Sequence, residues 1–136
     1  DSADTLGARL DGSSTGSFCD GAITSFYGSH VINGAGNGGM LLTDSDEVAS
    51  KAKLLRSWGR SSSLFSDSEA IENRFNVDLD GIRYDAKFVF ETVGYNVEGS
   101  ELGAAFGLVQ LNSLLNNIKV RQENFNKQKK APIKST

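Results

Sequence analysis

At 136 residues with 38% hydrophobic content, the chain is long enough for one domain but lean in core-forming side chains. A net charge of -3 and a pI near 5.1 argue against a general nucleic-acid binder. No apolar run spans a membrane and no signal-peptide pattern opens the chain; the single Cys19 allows neither an internal disulfide nor a cysteine metal cluster, which fits a cytoplasmic protein without a metal site.

In chain order, residues 4–16 carry Gly7, Gly12 and Gly16 among polar residues and read as a turn-rich excursion. Cys19 reads as a small buried hydrophobe rather than a nucleophile. Residues 21–26 predict a short strand ending at Ser25 and Phe26. Residues 28–39 hold five glycines in twelve positions, a density suited to close backbone approach or positive φ. Met40-Leu41-Leu42-Thr43 predicts a buried strand, followed by a turn at Asp44-Ser45-Asp46.

A helix follows, capped by Ser45 or Asp46, with Glu47 in its first turn. Val48, Ala52 and Leu55 share one face, and Gly59 ends the helix after Lys53 and Arg56. Residues 60–80 are polar and serine-rich, predicting an irregular, mobile segment with one helical turn near 68–73. Residues 84–93 are aromatic and β-branched, equally compatible with strand or loop, and Gly94-Tyr95-Asn96 interrupts them.

Ser100 predicts the cap of one long helix, with Glu101 in its first turn. Leu102, Phe106, Val109, Leu111, Leu114, Leu115 and Ile118 form a broad apolar stripe. Gly103, Ala104, Ala105 and Gly107 allow close approach of another helix or a sheet. Beyond Lys119 the pattern turns polar and ends in a basic tail, a solvated helix end with a frayed terminus. An opening at Asp1 without methionine, and a tail without a closing element, read as a piece of something larger. Short strands alternating with helices indicate an α/β fold.

His30, the only histidine, stands between an aromatic strand end and the glycine-rich loop. Imidazole titrates near neutral pH, so a positioned His30 could act as acid or base. A loop histidine with one hydrogen bond is the plainer reading of the same residue.

Five motifs in order resemble one family. Asp1-Ser2-Ala3-Asp4-Thr5-Leu6-Gly7 is similar to the stretch around the cofactor aspartate of the DegT/StrS vitamin B6-dependent sugar aminotransferases. Ser25-Phe26, Arg56-Ser57-Trp58-Gly59-Arg60 and Gly94-Tyr95-Asn96 resemble further motifs of that family. Ala104-Ala105 with Gly107 and Gln110-Leu111 resembles its Ala-Ala-x-Gly-x-x-x-Gln-Leu signature. The resemblance runs from residue 1 to about 125. It implies a fragment of a fold-type-I, aspartate-aminotransferase-like large domain running into the long helix toward the small domain. Residues 1–98 would be the C-terminal part of the cofactor-binding domain, and 99–136 the linking helix and tail.

One departure bears on function. Ordinary members carry a lysine at the position of His30, which forms a Schiff base with pyridoxal phosphate; imidazole cannot. Members with histidine there are 3-dehydratases of nucleotide-linked 4-keto-6-deoxy sugars, and Ser25-Phe26-Tyr27-x-x-His30 and Tyr84-Asp85-x-Lys87-Phe88-x-Phe90 resemble theirs. One kind of dehydratase uses an iron–sulfur cluster. The segment after Gly59-Arg60 has no cysteine, so the chain is more like the cluster-free GDP-4-keto-6-deoxymannose type.

By this resemblance His30 is the catalytic acid–base. Asp1, with Asp4 close by, serves the cofactor's pyridine nitrogen, Ser25 its phosphate, and Asn96 the phosphate in a neighbouring subunit of a homodimer. Pyridoxal or pyridoxamine phosphate is the implied cofactor and glutamate the implied amino donor. Asn37 stands where the family usually has glutamate, and Ala86 where the dehydratases often have histidine. The alternatives are a sugar aminotransferase relative that lost its lysine, or a truncated segment that folds and self-associates without catalysis. The family's complete catalytic domain is far longer, so these residues are not expected to turn over substrate alone.

Overall fold

The computed structural model describes residues 1–130. They form two compact units: Asp1–Leu42 with the chain from Gly99 onward, and Thr43–Glu98.

In the first unit, β1 (Arg9–Leu10) and β2 (Ser13–Ser14) make a minimal antiparallel hairpin within the expected turn-rich excursion. A 3₁₀ turn, Thr15–Phe18, follows. Cys19 is exposed rather than buried, because it follows this surface turn, where its Sγ reaches the carbonyl of Gly16 at 3.4 Å. The expected strand is β3 (Gly21–Ser25), paired with β4 (Gly39–Thr43). β4 forms where the apolar run predicts it but is not a buried strand: Met40, Leu41 and Leu42 are all exposed. Its sheet has two strands only, so the described residues leave its faces uncovered.

The single long helix is two. α3 (Glu101–Leu111) is capped by Ser100, whose Oγ accepts from Gly103 N at 3.3 Å. α4 (Leu114–Lys130) begins after a break at Asn112-Ser113. Ser113 N bonds to Gln110 O, a tightened last turn, and Asn and Ser are weak helix-interior residues. The small residues of α3 do admit a neighbour, which is the glycine-rich loop rather than a helix or sheet. A Cβ on Gly103 would lie 2.8 Å from Gly34 O. The expected basic tail is partly the exposed end of α4, and its last six residues lie outside the described residues.

The apolar stripe stays mostly open. Leu102 and Leu115 are 84% and 82% exposed. Replacing both by lysine is expected to change folding stability by less than about 0.5 kcal/mol and to reduce light scattering in concentrated solution. A loss of about 2 kcal/mol or more, measured by urea unfolding, would show instead that both side chains are packed.

In the second unit, α1 (Asp46–Arg56) is capped by Ser45, whose Oγ accepts from Val48 N at 3.3 Å. Asp46 and Glu47 lie in its first turn and Lys53 and Arg56 in its last, matching the helix dipole. Ala52 and Leu55 are half-buried, while Val48 is exposed. Tyr95 N bonds to Leu55 O at 2.7 Å, Val97 N to Arg56 O at 3.1 Å, and Arg56 pairs with Glu98 at 3.1 Å. The 95–98 segment is thus laced to the end of α1.

Residues 60–80 are more regular than expected. A 3₁₀ turn (Ser61–Leu64) and the single-turn α2 (Ile71–Arg74) precede an antiparallel hairpin of β5 (Val77–Leu79) and β6 (Ile82–Tyr84). Its two-residue turn, Asp80-Gly81, has φ of 54° and 87°, the left-handed pair that an Asp-Gly turn supplies. That dipeptide was the unused signal. The ambiguous 84–93 stretch ends β6 at Tyr84, forms a 3₁₀ turn at Ala86–Phe88, and bridges Phe90 to Arg60.

Asp85 fastens this region. It accepts from Arg74 Nε at 2.8 Å, from Arg74 Nη2, and from Lys87 N at 3.0 Å. The Arg74 hydrogen bonds hold the Asp85 carboxyl below its ordinary value; desolvation opposes this and the Lys87 amide reinforces it. A carboxyl depressed in the folded state contributes stability above its unfolded value, and that contribution fades as pH falls through the lower folded value. Unfolding followed by circular dichroism is therefore expected to show a stability loss below about pH 4 that Asp85→Asn diminishes. An unchanged acid profile in the variant would assign the loss to other carboxylates.

Among the described residues, Ile32 and Ala86 are the only buried apolar side chains. No helix among them is long and apolar enough to cross a membrane.

Candidate active site

The first unit assembles four of the five residues singled out above. Ser2 N bonds to Ile23 O at 2.8 Å, and Thr24 Oγ1 donates to Ser2 O at 3.3 Å. These bonds fasten the opening segment to β3, so Asp1 and Asp4 belong to the same substructure as Ser25. Asp1 Oδ1 accepts from Ala3 N at 3.0 Å, a local turn that fixes the carboxylate.

Ser25 ends β3. Its Oγ accepts from Tyr27 N at 3.2 Å, which leaves the hydroxyl proton available for donation. Phe26 then bonds through N to Gly38 O at 2.9 Å and through O to Gly34 N at 2.7 Å. The glycine-rich loop is thereby closed on both sides of the strand end. His30 sits in the turn between, with its N bonded to Tyr27 O at 3.0 Å.

The His30 side chain is 15% exposed, and its Nδ1 lies 2.6 Å from Asp4 Oδ1. Asp4 is 80% exposed. The Tyr27 ring meets the imidazole edge-on, with centroids 6.4 Å apart at 68°. A carboxylate can only accept, so neutral His30 carries its proton on Nδ1 and presents Nε2 as the free lone pair. The plainer reading, a loop histidine with one hydrogen bond, describes the contacts; what the imidazole can do depends on the nitrogen left open.

Local sequence reasoning assigned no role to the clamp that holds this loop. Gln110 of α3 accepts at Oε1 from both Asn33 N (3.2 Å) and Asn33 Nδ2 (3.3 Å), and donates from Nε2 to Asn33 O at 3.1 Å. Gln110, the one polar side chain of α3 beyond Glu101, was the available signal.

Asn96 lies in the second unit. Its backbone bridges Ser57, between the bonds that tie residues 95 and 97 to the end of α1. Its side chain is exposed. Ala86, singled out above as a departure from the dehydratases, is fully buried. Asn37 turns the loop through a 3.5 Å bond from its N to Gly34 O.

Comparison with known proteins gives a consistent picture. Residues 1–131 match the DegT/DnrJ/EryC1/StrS aminotransferase family. The chain is 37% identical over 117 residues to dTDP-4-dehydro-2,6-dideoxy-D-glucose 3-dehydratase of Saccharopolyspora spinosa, covering 84% of this chain and 25% of that protein. It is 32% identical over 128 residues to the lipopolysaccharide biosynthesis protein RfbH of Salmonella typhimurium, covering 92% of this chain and 29% of the relative. Its structure superposes on E. coli GDP-4-keto-6-deoxy-D-mannose-3-dehydratase with bound hydrated PLP at a TM-score of 0.71 and 28% identity, covering 88% of this chain and 29% of that one. The chain thus spans 25% to 29% of the length of these proteins. The mixed helices and short strand pairs are a fragment of an aminotransferase-like fold, which also explains the two-stranded sheets and bare apolar faces.

Proposed function

This chain belongs to the DegT/DnrJ/EryC1/StrS aminotransferase family, and on that premise we propose that it is the His30-bearing segment of a vitamin B6-dependent nucleotide-sugar 3-dehydratase. Such an enzyme removes the C3 hydroxyl of a nucleotide-linked 4-keto-6-deoxy sugar during deoxysugar synthesis for surface polysaccharide. The observation that carries the proposal is His30 itself, where the family's ordinary members have lysine. It is held by Asp4 with Nε2 open.

The residues present suit the cofactor's chemistry. Asp1 offers a carboxylate for a pyridinium N–H, and Ser25 a hydroxyl donor for a phosphate. Asn96 offers an exposed amide that would serve the phosphate site of a second subunit in a homodimer. When bound in its amine form, the cofactor would supply an electron sink that makes a proton beside its ring removable, the electron pair then being available to expel the C3 hydroxyl.

The chain's own contribution is proton handling. His30 accepts a proton at Nε2, and Asp4 stabilises the resulting imidazolium through Nδ1–H. Hydroxide is a poor leaving group, so the C3 hydroxyl departs as water only if a proton reaches it, and Nε2–H is the donor. The ring of Tyr27 lies edge-on to His30, whose side chain is 15% exposed, which limits exchange of that proton with bulk solvent. Glutamate would restore the amine form afterwards. Asp4 thus acts on the cofactor's reaction through His30, while direct contact with the cofactor falls to Asp1 and Ser25. The remaining pocket walls would come from residues outside this chain.

The family description favours a second reading, a sugar aminotransferase. The two part at the product: amino transfer retains the C3 oxygen and yields a 4-amino sugar. Titration with pyridoxamine phosphate and pyridoxal phosphate, followed by absorbance, tests the cofactor claim directly. Saturable binding that borohydride does not fix to His30 is expected; a borohydride-stable adduct on another residue of the chain would refute the non-covalent site.

A further inference from the structure

We propose that Arg60, in the second unit, is a built oxyanion site, taking a phosphate or carboxylate group of a substrate. Three observations converge on it. The guanidinium lies 4.4 Å from the Trp58 ring centroid and 5.5 Å from that of Phe90, so two aromatic rings hold the cation. Arg60 Nε and the neighbouring Ser61 Oγ are both shut off from solvent, and neither has a hydrogen-bond partner. Trp58 itself adopts φ of 58°, a left-handed conformation that a bulky side chain rarely takes.

Arg56 pairs with Glu98, and Arg74 with Asp85. Arg60 has no carboxylate partner among the described residues. Its backbone, by contrast, is fully engaged. Arg60 N bonds to Ser57 O at 3.0 Å, Arg60 O accepts from Ser63 Oγ at 2.7 Å, and the strand bridge to Phe90 runs alongside. Ser61 N bonds to Val89 O at 3.3 Å. The side chain is therefore the unsatisfied part of a rigid segment.

Buried donors without acceptors destabilise a fold, so each calls for a partner that the chain itself does not supply. A guanidinium presents a planar fork that matches phosphate or carboxylate through paired hydrogen bonds. An oxyanion entering at that fork neutralises the cation, and a second oxygen gives the Ser61 hydroxyl or Nε its missing acceptor through a small rotation. The strain at Trp58 keeps the indole beneath the cation, pre-ordering it for the ligand.

Trp58 is the chain's only tryptophan, so its emission reports on Arg60 directly. The chain is titrated with inorganic pyrophosphate and, separately, with glutamate, at constant ionic strength set by chloride. A saturable emission change with either anion supports the proposal: pyrophosphate identifies a phosphate source, glutamate a carboxylate source. Arg60→Met should weaken the response at least about tenfold, and Arg60→Lys should keep part of it. In the wild-type chain, amide exchange across Ser61–Leu64 should slow in the anion that binds, a readout that needs no variant. Flat emission and unchanged exchange with both anions would overturn the proposal. So would a response equal to that of chloride, or one that survives in Arg60→Met.

Discussion

Alanine at Gly94 is expected to destabilise the second unit strongly. A Cβ there would collide with the Gly59 N and the Trp58 carbonyl carbon, and would stand 2.9 Å from Leu55 O. All three are backbone atoms, so no flexible side chain can yield. The same backbone carries the bonds from Trp58 N to Tyr95 O and from Tyr95 N to Leu55 O, at 2.8 and 2.7 Å. Relief of the clash therefore breaks the lacing between the end of α1 and the 95–98 segment. We expect a loss of about 2–4 kcal/mol, read as a lower urea midpoint. Gly99→Ala is the control, since a Cβ there meets nothing within 4 Å. Equal effects at both positions would mean that the close approach at Gly94 relaxes in solution.

On the proposed 3-dehydratase function, His30→Asn in the full-length protein is expected to slow loss of the C3 oxygen by about 10²–10⁴-fold without loss of cofactor binding. Asparagine can still hydrogen-bond to Asp4, but it cannot carry a proton from one atom to another. Asp4→Asn tests how the imidazole is held. Removing the carboxylate from a buried carboxylate–imidazole pair costs up to about 10⁴-fold in turnover. Asp4 is 80% exposed, so water shares its work and a smaller loss is expected. The distinguishing measurement is the split between kcat and KM. Without the carboxylate, kcat should fall while KM and cofactor binding hold, and Asp4→Glu should restore part of the rate. A change confined to KM would make the Asp4 contact merely structural. Product mass separates the outcomes, since an enzyme that retains the C3 oxygen is the aminotransferase alternative whatever its rate.

The two expectations rest on different kinds of information. His30, Ser25 and the family motifs are local patterns, visible wherever the chain is written out. The clash at Gly94 is not: it arises because residues 94–97 return to the end of α1, and no composition or periodicity of either segment announces that meeting. The Asp80-Gly81 hairpin is legible in its turn dipeptide, but its strands are three residues each, too short for alternation to stand out.

By itself, the sequence determined the helix starts at Ser45 and Ser100, the strand ending at Ser25, the glycine loop and the family. Each depends on short-range chemistry: a side-chain oxygen facing a free amide, alternation along a strand, or residue types at set spacing. Tertiary structure alone decided that Asp4 meets His30 across 26 positions, that Gln110 clamps Asn33 across 77, and that Arg60 meets the rings of both Trp58 and Phe90. It also decided that β4 stays exposed and that the long helix breaks after Leu111. Burial and long-range hydrogen bonding depend on which surfaces are available to pack, and a chain spanning 25% to 29% of its relatives' length offers its apolar faces few of them.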